Sequence, residues 1–130
     1  MGLDLRDEFD YHGDGVIGTA TKNTTTNIDF KVGHNKCYVN GGEIIFKDAN
    51  WGDYIKVEVV DKDGVAYPAG TVLKTYIPKR YLHPDIGKAD LNVPYAGHIP
   101  NGIYLRVKYT STSTTTDVKV AVNYWLHIQN

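Results

Sequence analysis

The chain has 130 residues, 42% of them hydrophobic, and a formal net charge of −1. This length is typical of one domain that buries about two-thirds of the surface its unfolded chain exposes, so a core needs no metal or disulfide. A nearly neutral chain lacks the positive field that attracts DNA or an anionic membrane, and the short apolar runs exclude a membrane-spanning helix.

The first 23 residues differ from the rest of the chain. They are acidic and interrupted by glycine, they hold no period of 2 or 3.6, and they resemble neither a signal peptide nor a transit peptide. We therefore expect residues 1–23 to form an extended N-terminal arm, ordered against a neighbouring molecule, and residues 24–130 to form a β-domain. Cys37 is the only cysteine, which excludes an intrachain disulfide and favours synthesis in a cytoplasm.

From residue 24 onward, apolar and polar residues alternate, as in strands that bury one face in the core and expose the other to solvent. The pattern predicts strands over residues 27–32, 37–39, 43–47, 54–60, 72–77 and 89–93. Turn-forming residues at 40–42 and 61–64 separate several of these strands. Pro78 is expected to end the strand before it, because proline cannot donate a ladder hydrogen bond.

The last third of the chain has the clearest pattern. Residues 103–109 and 118–126 place apolar side chains at every second position, and the Thr- and Ser-rich residues 110–116 between them predict the polar tip of a closing hairpin. About eight strands and no helix predict an all-β fold, an antiparallel two-sheet β-sandwich. Eight strands favour a jelly roll, and an immunoglobulin-like sandwich is the alternative.

No motif predicts a catalytic, cofactor or metal site. Asp61 and Asp63 resemble the start of a calcium loop, but no glutamate closes that loop at the twelfth position. The five histidines show no metal-ligand spacing, and Ser111 and Ser113 lie in the predicted tip. We therefore expect no enzyme activity, with a pair formed by Cys37 and a histidine as the open alternative.

Aromatic residues provide the candidate interaction surface. Tyrosine occurs ten times. Its large apolar ring and polar hydroxyl suit a sheet face that is in contact with another protein. The candidate surface consists of Trp51, Tyr54, Tyr76, Tyr81 and Trp125. The first four could stack on a sugar or cap the ends of the core. Trp125 is predicted on the outer face of the last strand, where a neighbouring subunit would cover it.

Residues 40–54, with the sequence NGGEIIFKDANWGDY, and the stretches 57–61 and 70–77 resemble small β-sandwich proteins encoded among the virion genes of tailed bacteriophages. The resemblance covers about residues 40 to 80. It implies a non-enzymatic structural protein of the virion, made in the host cytoplasm: a capsid decoration protein or a tail appendage. Such a protein would dock on a capsid or tail protein as a homo-oligomer, with a trimer favoured.

A second function is a carbohydrate-binding or receptor-binding module that takes a glycan on its aromatic residues. Neither function involves nucleic acid or insertion into a membrane.

Overall fold

A computed structural model describes residues 10–31, 37–95 and 103–128. Within them the chain forms eight strands. In chain order these are β1 (Asp10–Ala20), β2 (Thr25–Lys31), β3 (Cys37–Lys47), β4 (Tyr54–Asp61), β5 (Thr71–Tyr81), β6 (Lys88–Tyr95), β7 (Ile103–Thr110) and β8 (Val118–Ile128).

The strands form two antiparallel four-stranded sheets. Sheet I has the order β1-β8-β3-β6, and sheet II has the order β2-β7-β4-β5. The two orders correspond strand by strand: β1 with β2, β8 with β7, β3 with β4, and β6 with β5. The members of each pair are consecutive in the chain, so the chain passes repeatedly from one sheet to the other. This is the arrangement of an eight-stranded jelly roll. The predicted all-β two-sheet sandwich is therefore confirmed, and the immunoglobulin-like order, which splits its strands differently, is not observed.

The core lies between the sheets and is built from the alternating rows. Val118, Val120, Val122 and Tyr124 of β8 are buried, as are Ile103, Leu105, Val107 and Tyr109 of β7. The rings of Phe30 in sheet II and Tyr124 in sheet I stack with their centroids 4.5 Å apart. The period-2 pattern therefore predicted correctly which of the described side chains of these two strands face inward; Leu126, predicted on the same row of β8, has a side chain outside the described part of the chain.

Residues 10–20 differ from the predicted arm. They form β1, an edge strand of sheet I that pairs with β8 along its whole length. Ala20 is fully buried and Val16 packs against the core. The sequence of β1 shows no alternation of apolar and polar residues, because three of its positions are glycines without a side chain: Gly13, Gly15 and Gly18. Residues 1–9 of the predicted arm lie outside the described residues.

Two predicted boundaries are wrong. Gly41 and Gly42 lie inside β3, where the register against β8 shifts after Val39. Gly41 has a φ of 114°, and a Cβ on Gly42 would collide with the Asn123 carbonyl oxygen, so the glycines form a bulge and not a turn. Pro78 lies inside β5, because an edge strand tolerates a residue without an N–H.

The predicted closing hairpin is also wrong. β7 and β8 belong to different sheets, and residues 111–117 cross the end of the sandwich between them. Ser111 and Ser113 are buried in this crossover. The Ser111 N–H donates to the Thr24 carbonyl over 2.9 Å, and the Ser113 hydroxyl accepts from the Thr116 N–H over 3.0 Å. Alternation shows which face of a strand is buried, but not which sheet the strand joins.

The position of β1 in the sandwich predicts different effects at two neighbouring residues. Ala20→Asp places an unpartnered carboxylate in the core and should lower the free energy of unfolding by about 3 kcal/mol. Thr19→Asp, at the adjacent exposed position, should change it by less than about 0.5 kcal/mol. Urea unfolding followed by tryptophan fluorescence measures both variants. Equal stability of the two would contradict a β1 strand.

Candidate functional site

The structure brings three of the five predicted surface residues together at one end of the β4–β5 pair. Tyr54 at the start of β4 pairs with Tyr81 at the end of β5, and their rings meet edge to face with centroids 5.8 Å apart. Lys79 Nζ lies 4.4 Å from the Tyr54 ring centroid and 4.9 Å from that of Tyr81. Trp51 meets His83 with centroids 4.6 Å apart. We call these five residues the aromatic patch.

The aromatic patch is accessible and held in place by the backbone. The side chains of Trp51 and Tyr81 are each 64% exposed. The N–H of buried Leu82 donates to the Asp53 carbonyl over 2.9 Å, which ties the segment after β5 to the segment before β4. Exposed rings beside a cation can stack on a sugar or on side chains of another protein.

Tyr76 and Trp125 are not part of this patch. Tyr76 is partly buried and packs against the hydrophobic core, with Lys74 Nζ 4.9 Å from its ring centroid. Trp125 belongs to β8 in sheet I, and its side chain lies outside the described part of the chain. The predicted surface is therefore divided, with Trp51, Tyr54 and Tyr81 on one patch.

A buried carboxylate, Asp53, joins the start of β4 to the crossover between β7 and β8. Its Oδ2 accepts hydrogen bonds from the Tyr109 hydroxyl (2.7 Å) and the Asn50 N–H (3.0 Å). Its Oδ1 accepts from the N–H and the hydroxyl of Thr112, both over 2.7 Å. Burial alone would raise the pKa of Asp53, but these hydrogen bonds favour the charged form and lower it below its ordinary value. Burial and the bond to Asp53 raise the pKa of Tyr109, which keeps the donor protonated.

Two carboxylates on the outer face of sheet II, Asp29 and Glu58, are paired with cations. Arg106 Nε and Nη2 donate to the two oxygens of Asp29 over 2.7 and 3.0 Å, and Lys62 Nζ lies 3.2 Å from Asp29 Oδ2. Burial would raise the pKa of Asp29, but these cations lower it. Lys108, also on β7, has its Nζ 3.3 Å from Oε1 of Glu58 on the neighbouring strand β4. The two groups form an ion pair without hydrogen-bond geometry, and Glu58 Oε1 has no hydrogen-bond partner among the described residues.

Asp61, the start of the calcium-like segment, uses its carboxylate to order the loop between β4 and β5. Oδ1 accepts from the Val65 N–H over 2.8 Å, and Oδ2 accepts from those of Ala66 and Tyr67 over 2.8 and 2.9 Å. The bond from Ala66 is the main cause of the lowered pKa of Asp61. Among the described residues, no group of three or more His, Cys, Asp or Glu could hold a metal ion.

The outer face of sheet I is apolar at its centre. Ile17 of β1, Ala121 of β8 and Ile45 of β3 lie directly opposite one another, and we call them the apolar row. Ile17 is 85% and Ile45 43% exposed. Together with Lys47 and Lys119 they line a shallow depression of about 190 Å³.

The sequence reasoning missed the apolar row. The sequence pattern predicts Ile17 in the N-terminal arm and Ile45 in a strand, but it does not predict the face on which Ile45 lies. One signal was available: in a strand with period 2, the adjacent residues Ile44 and Ile45 must point to opposite faces. With Ile44 in the core, Ile45 has to lie outside.

No protein-family model matches the sequence, and no curated protein is significantly similar to it. Among solved structures, the chain is similar to the infectious bursal disease virus VP2 subviral particle, with 13% identity and a TM-score of 0.47, over 99% of this chain and 37% of that one. A structure of the Gx strain of the same virus has 11% identity and a TM-score of 0.40, over 90% of this chain and 32% of that one. The chain thus spans about a third of the length of these chains. At these values the likeness carries no argument about fold or function.

None of the described residues forms a helix able to cross a membrane.

The hydrogen bonds of Asp53 predict a specific dependence of stability on pH. The pKa of Asp53 is lower in the folded chain than its ordinary value of 3.8. The contribution of ionised Asp53 to the free energy of unfolding is therefore fully present above pH 3.8 and is lost as the pH falls toward the pKa of the folded chain. Asp53→Asn should lower the free energy of unfolding by about 1–3 kcal/mol at pH 7. Below pH 4, the free energy of unfolding of this variant should decrease less steeply with falling pH than that of the wild type.

Urea unfolding at a series of pH values measures both effects of Asp53→Asn. Asp63→Asn, at an exposed aspartate in the next loop, is the control and should leave the profile unchanged. Asp29 and Asp61 also have lowered pKa values, so the Asp53 variant keeps part of the acid dependence. A pH profile identical to that of the wild type would contradict the role of Asp53.

Proposed function

We propose that the chain is a structural component of a virus particle and acts through its outer surfaces. The observation that carries the proposal is the strand order of the two sheets, β1-β8-β3-β6 over β2-β7-β4-β5. This jelly-roll order is used by viral capsid domains, lectins and cupins. Since a fold alone does not assign a function, the surfaces of the molecule must support the choice among these classes.

The carboxylates with lowered pKa values support a structural role. Perturbed pKa values often mark catalytic groups, but here each has a structural cause. Asp53 accepts four hydrogen bonds at the end of the sandwich, Asp61 accepts three from its own loop, and Asp29 is paired with Arg106. These groups hold the fold together, whereas the uncovered apolar row offers a surface for a protein partner.

More specifically, we propose a capsid decoration protein of a tailed bacteriophage. The resemblance of residues 40–80 to virion proteins of such phages supports this assignment. The partner would be the capsid protein, or a tail protein if the chain is a tail appendage, and the chain would reach the virion after synthesis in the host cytoplasm.

Particles of the virus that encodes this chain should therefore contain it. Particles purified on a density gradient can be analysed by quantitative mass spectrometry, with an abundant host cytoplasmic protein as the contamination control. A decoration protein should be present in copy numbers comparable with those of the shell protein, and a tail appendage in far fewer. Absence of the chain from purified particles would overturn the proposal.

A second candidate, a carbohydrate-binding or receptor-binding module, is favoured by the aromatic patch. Trp51 and Tyr81 offer two exposed rings, and Lys79 beside Tyr81 can donate hydrogen bonds to sugar hydroxyls. Sugar recognition by stacking requires this combination of an exposed ring face and nearby polar groups.

Saccharide binding at the aromatic patch should change the fluorescence of Trp51. Titration with a panel of oligosaccharides should quench the wild-type emission in a saturable way, and Trp51→Ala should abolish the change. Tyr67→Ala provides the matched control, because Tyr67 is also an exposed aromatic residue but lies in the loop after β4. An unchanged emission across the panel and a glycan array without signal would remove this candidate.

A further inference from the structure

Two rows of opposite charge flank the apolar row on the outer face of sheet I. Lys47 and Lys119 lie directly opposite each other on β3 and β8, two residues beyond the apolar row on one side. Glu43 and Asp90 lie directly opposite each other on β3 and β6, with Glu43 two residues from Ile45 on the other side. At about 3.4 Å per residue, each row lies roughly 7 Å from the centre.

Each charged row is unfavourable in an isolated copy of the chain. Like charges that face each other across neighbouring strands repel, and both rows consist of such a pair. No carboxylate of the described residues lies within ion-pair distance of Lys47 or Lys119. On the outer face of sheet II, by contrast, Arg106 and Lys108 of the central strand β7 have carboxylate partners. Among the described residues, Ile17 and Ile45 therefore remain exposed, and Lys47 and Lys119 have no counter-charge.

We propose that the outer face of sheet I is the interface between two copies of this chain. A two-fold axis along the apolar row would place β3 of one copy over β3 of the other, with the two Ile45 side chains in contact. Lys88, which lies opposite Ile45 on the edge strand β6, would face Lys88 of the partner subunit at the margin of the interface. This rotation exchanges the two flanking rows, so Lys47 of each copy faces Glu43 of the partner subunit. A two-fold axis along the strands would instead place Lys47 over the partner's Lys119 and form no Lys47–Glu43 pair, so the two symmetric Lys47–Glu43 pairs select the first arrangement.

The face is large enough for a stable dimer. Three of its strands have 11 residues and β6 has 8, so at the usual spacings the sheet is roughly 19 Å wide and about 27 to 37 Å long. The resulting area, on the order of 700 Å², is close to the roughly 800 Å² that each partner contributes to a standard interface. The inference does not depend on the virion role, since a chain that pairs in this way could serve in a particle or outside one.

Sedimentation velocity and light scattering on the full chain over a wide range of concentration test the dimer. The wild type should have the mass of two copies, and Ile45→Asp should raise the dissociation constant at least 100-fold, because it buries a charge at the centre of the interface. Leu73→Asp is the matched control: Leu73 on sheet II is 40% exposed and Ile45 43%. Circular dichroism confirms that each variant is folded.

Charge reversal tests the orientation of the two copies. Lys47→Glu and Glu43→Lys should each weaken the homodimer at least 10-fold, because each leaves like charges facing across the interface. An equimolar mixture of the two variants should form a heterodimer, in which positions 43 and 47 again face each other with opposite charges. Lys47→Glu should also stabilise the monomer, since the introduced carboxylate would attract Lys119. Weaker association of this variant therefore cannot result from misfolding.

Four results would overturn the inference: a wild-type monomer at every concentration, a trimer, a dimer insensitive to Ile45→Asp, or a failure of the two charge variants to associate when mixed. A monomer that is nevertheless found in purified particles would reject the dimer and leave the virion role standing.

Discussion

The hydrogen bonds to Asp53 are the interaction on which the end of the sandwich depends. The chain must pass from β7 in sheet II to β8 in sheet I, and the crossover that does so contains two buried serines. Buried polar groups are tolerated only when they are hydrogen-bonded. Asp53 satisfies the N–H and hydroxyl of Thr112 and the phenol of Tyr109, and it thereby fixes where β7 ends. The neighbouring aromatic patch is positioned by the same segment.

The sequence predicted the core better than the connections. Alternation identified the buried rows of β7 and β8 because it reports directly which face of a strand is apolar. It could not show that these strands lie in different sheets, since a polar crossover and a polar hairpin tip have the same composition. It also failed for residues 10–20, because three glycines interrupt the pattern, and at Gly41 and Gly42, because a bulge and a turn use the same residue types.

The candidate surface was predictable only where it follows from strand pairing. Tyr54 and Tyr81 lie at the ends of paired strands, so their proximity follows once β4 and β5 are neighbours. Tyr76 is partly buried because it packs against the core, which the tyrosine pattern alone did not reveal. The apolar row depends on the pairing of β1, β8 and β3, which are far apart in the sequence. Long-range register of this kind cannot be read from local periodicity.

The two outer faces are unequal: on sheet II, Arg106 and Lys108 are paired with carboxylates of the chain, whereas sheet I exposes Ile17 and Ile45, the face that we propose as the interface. Hydroxyl-radical footprinting of the full chain, at concentrations below and above association and on purified particles, tests this claim most directly. The account predicts that Ile17 and Ile45 become protected on association, while Leu73 on sheet II stays reactive. Unchanged reactivity of both isoleucines, or protection of Leu73 in their place, would contradict it.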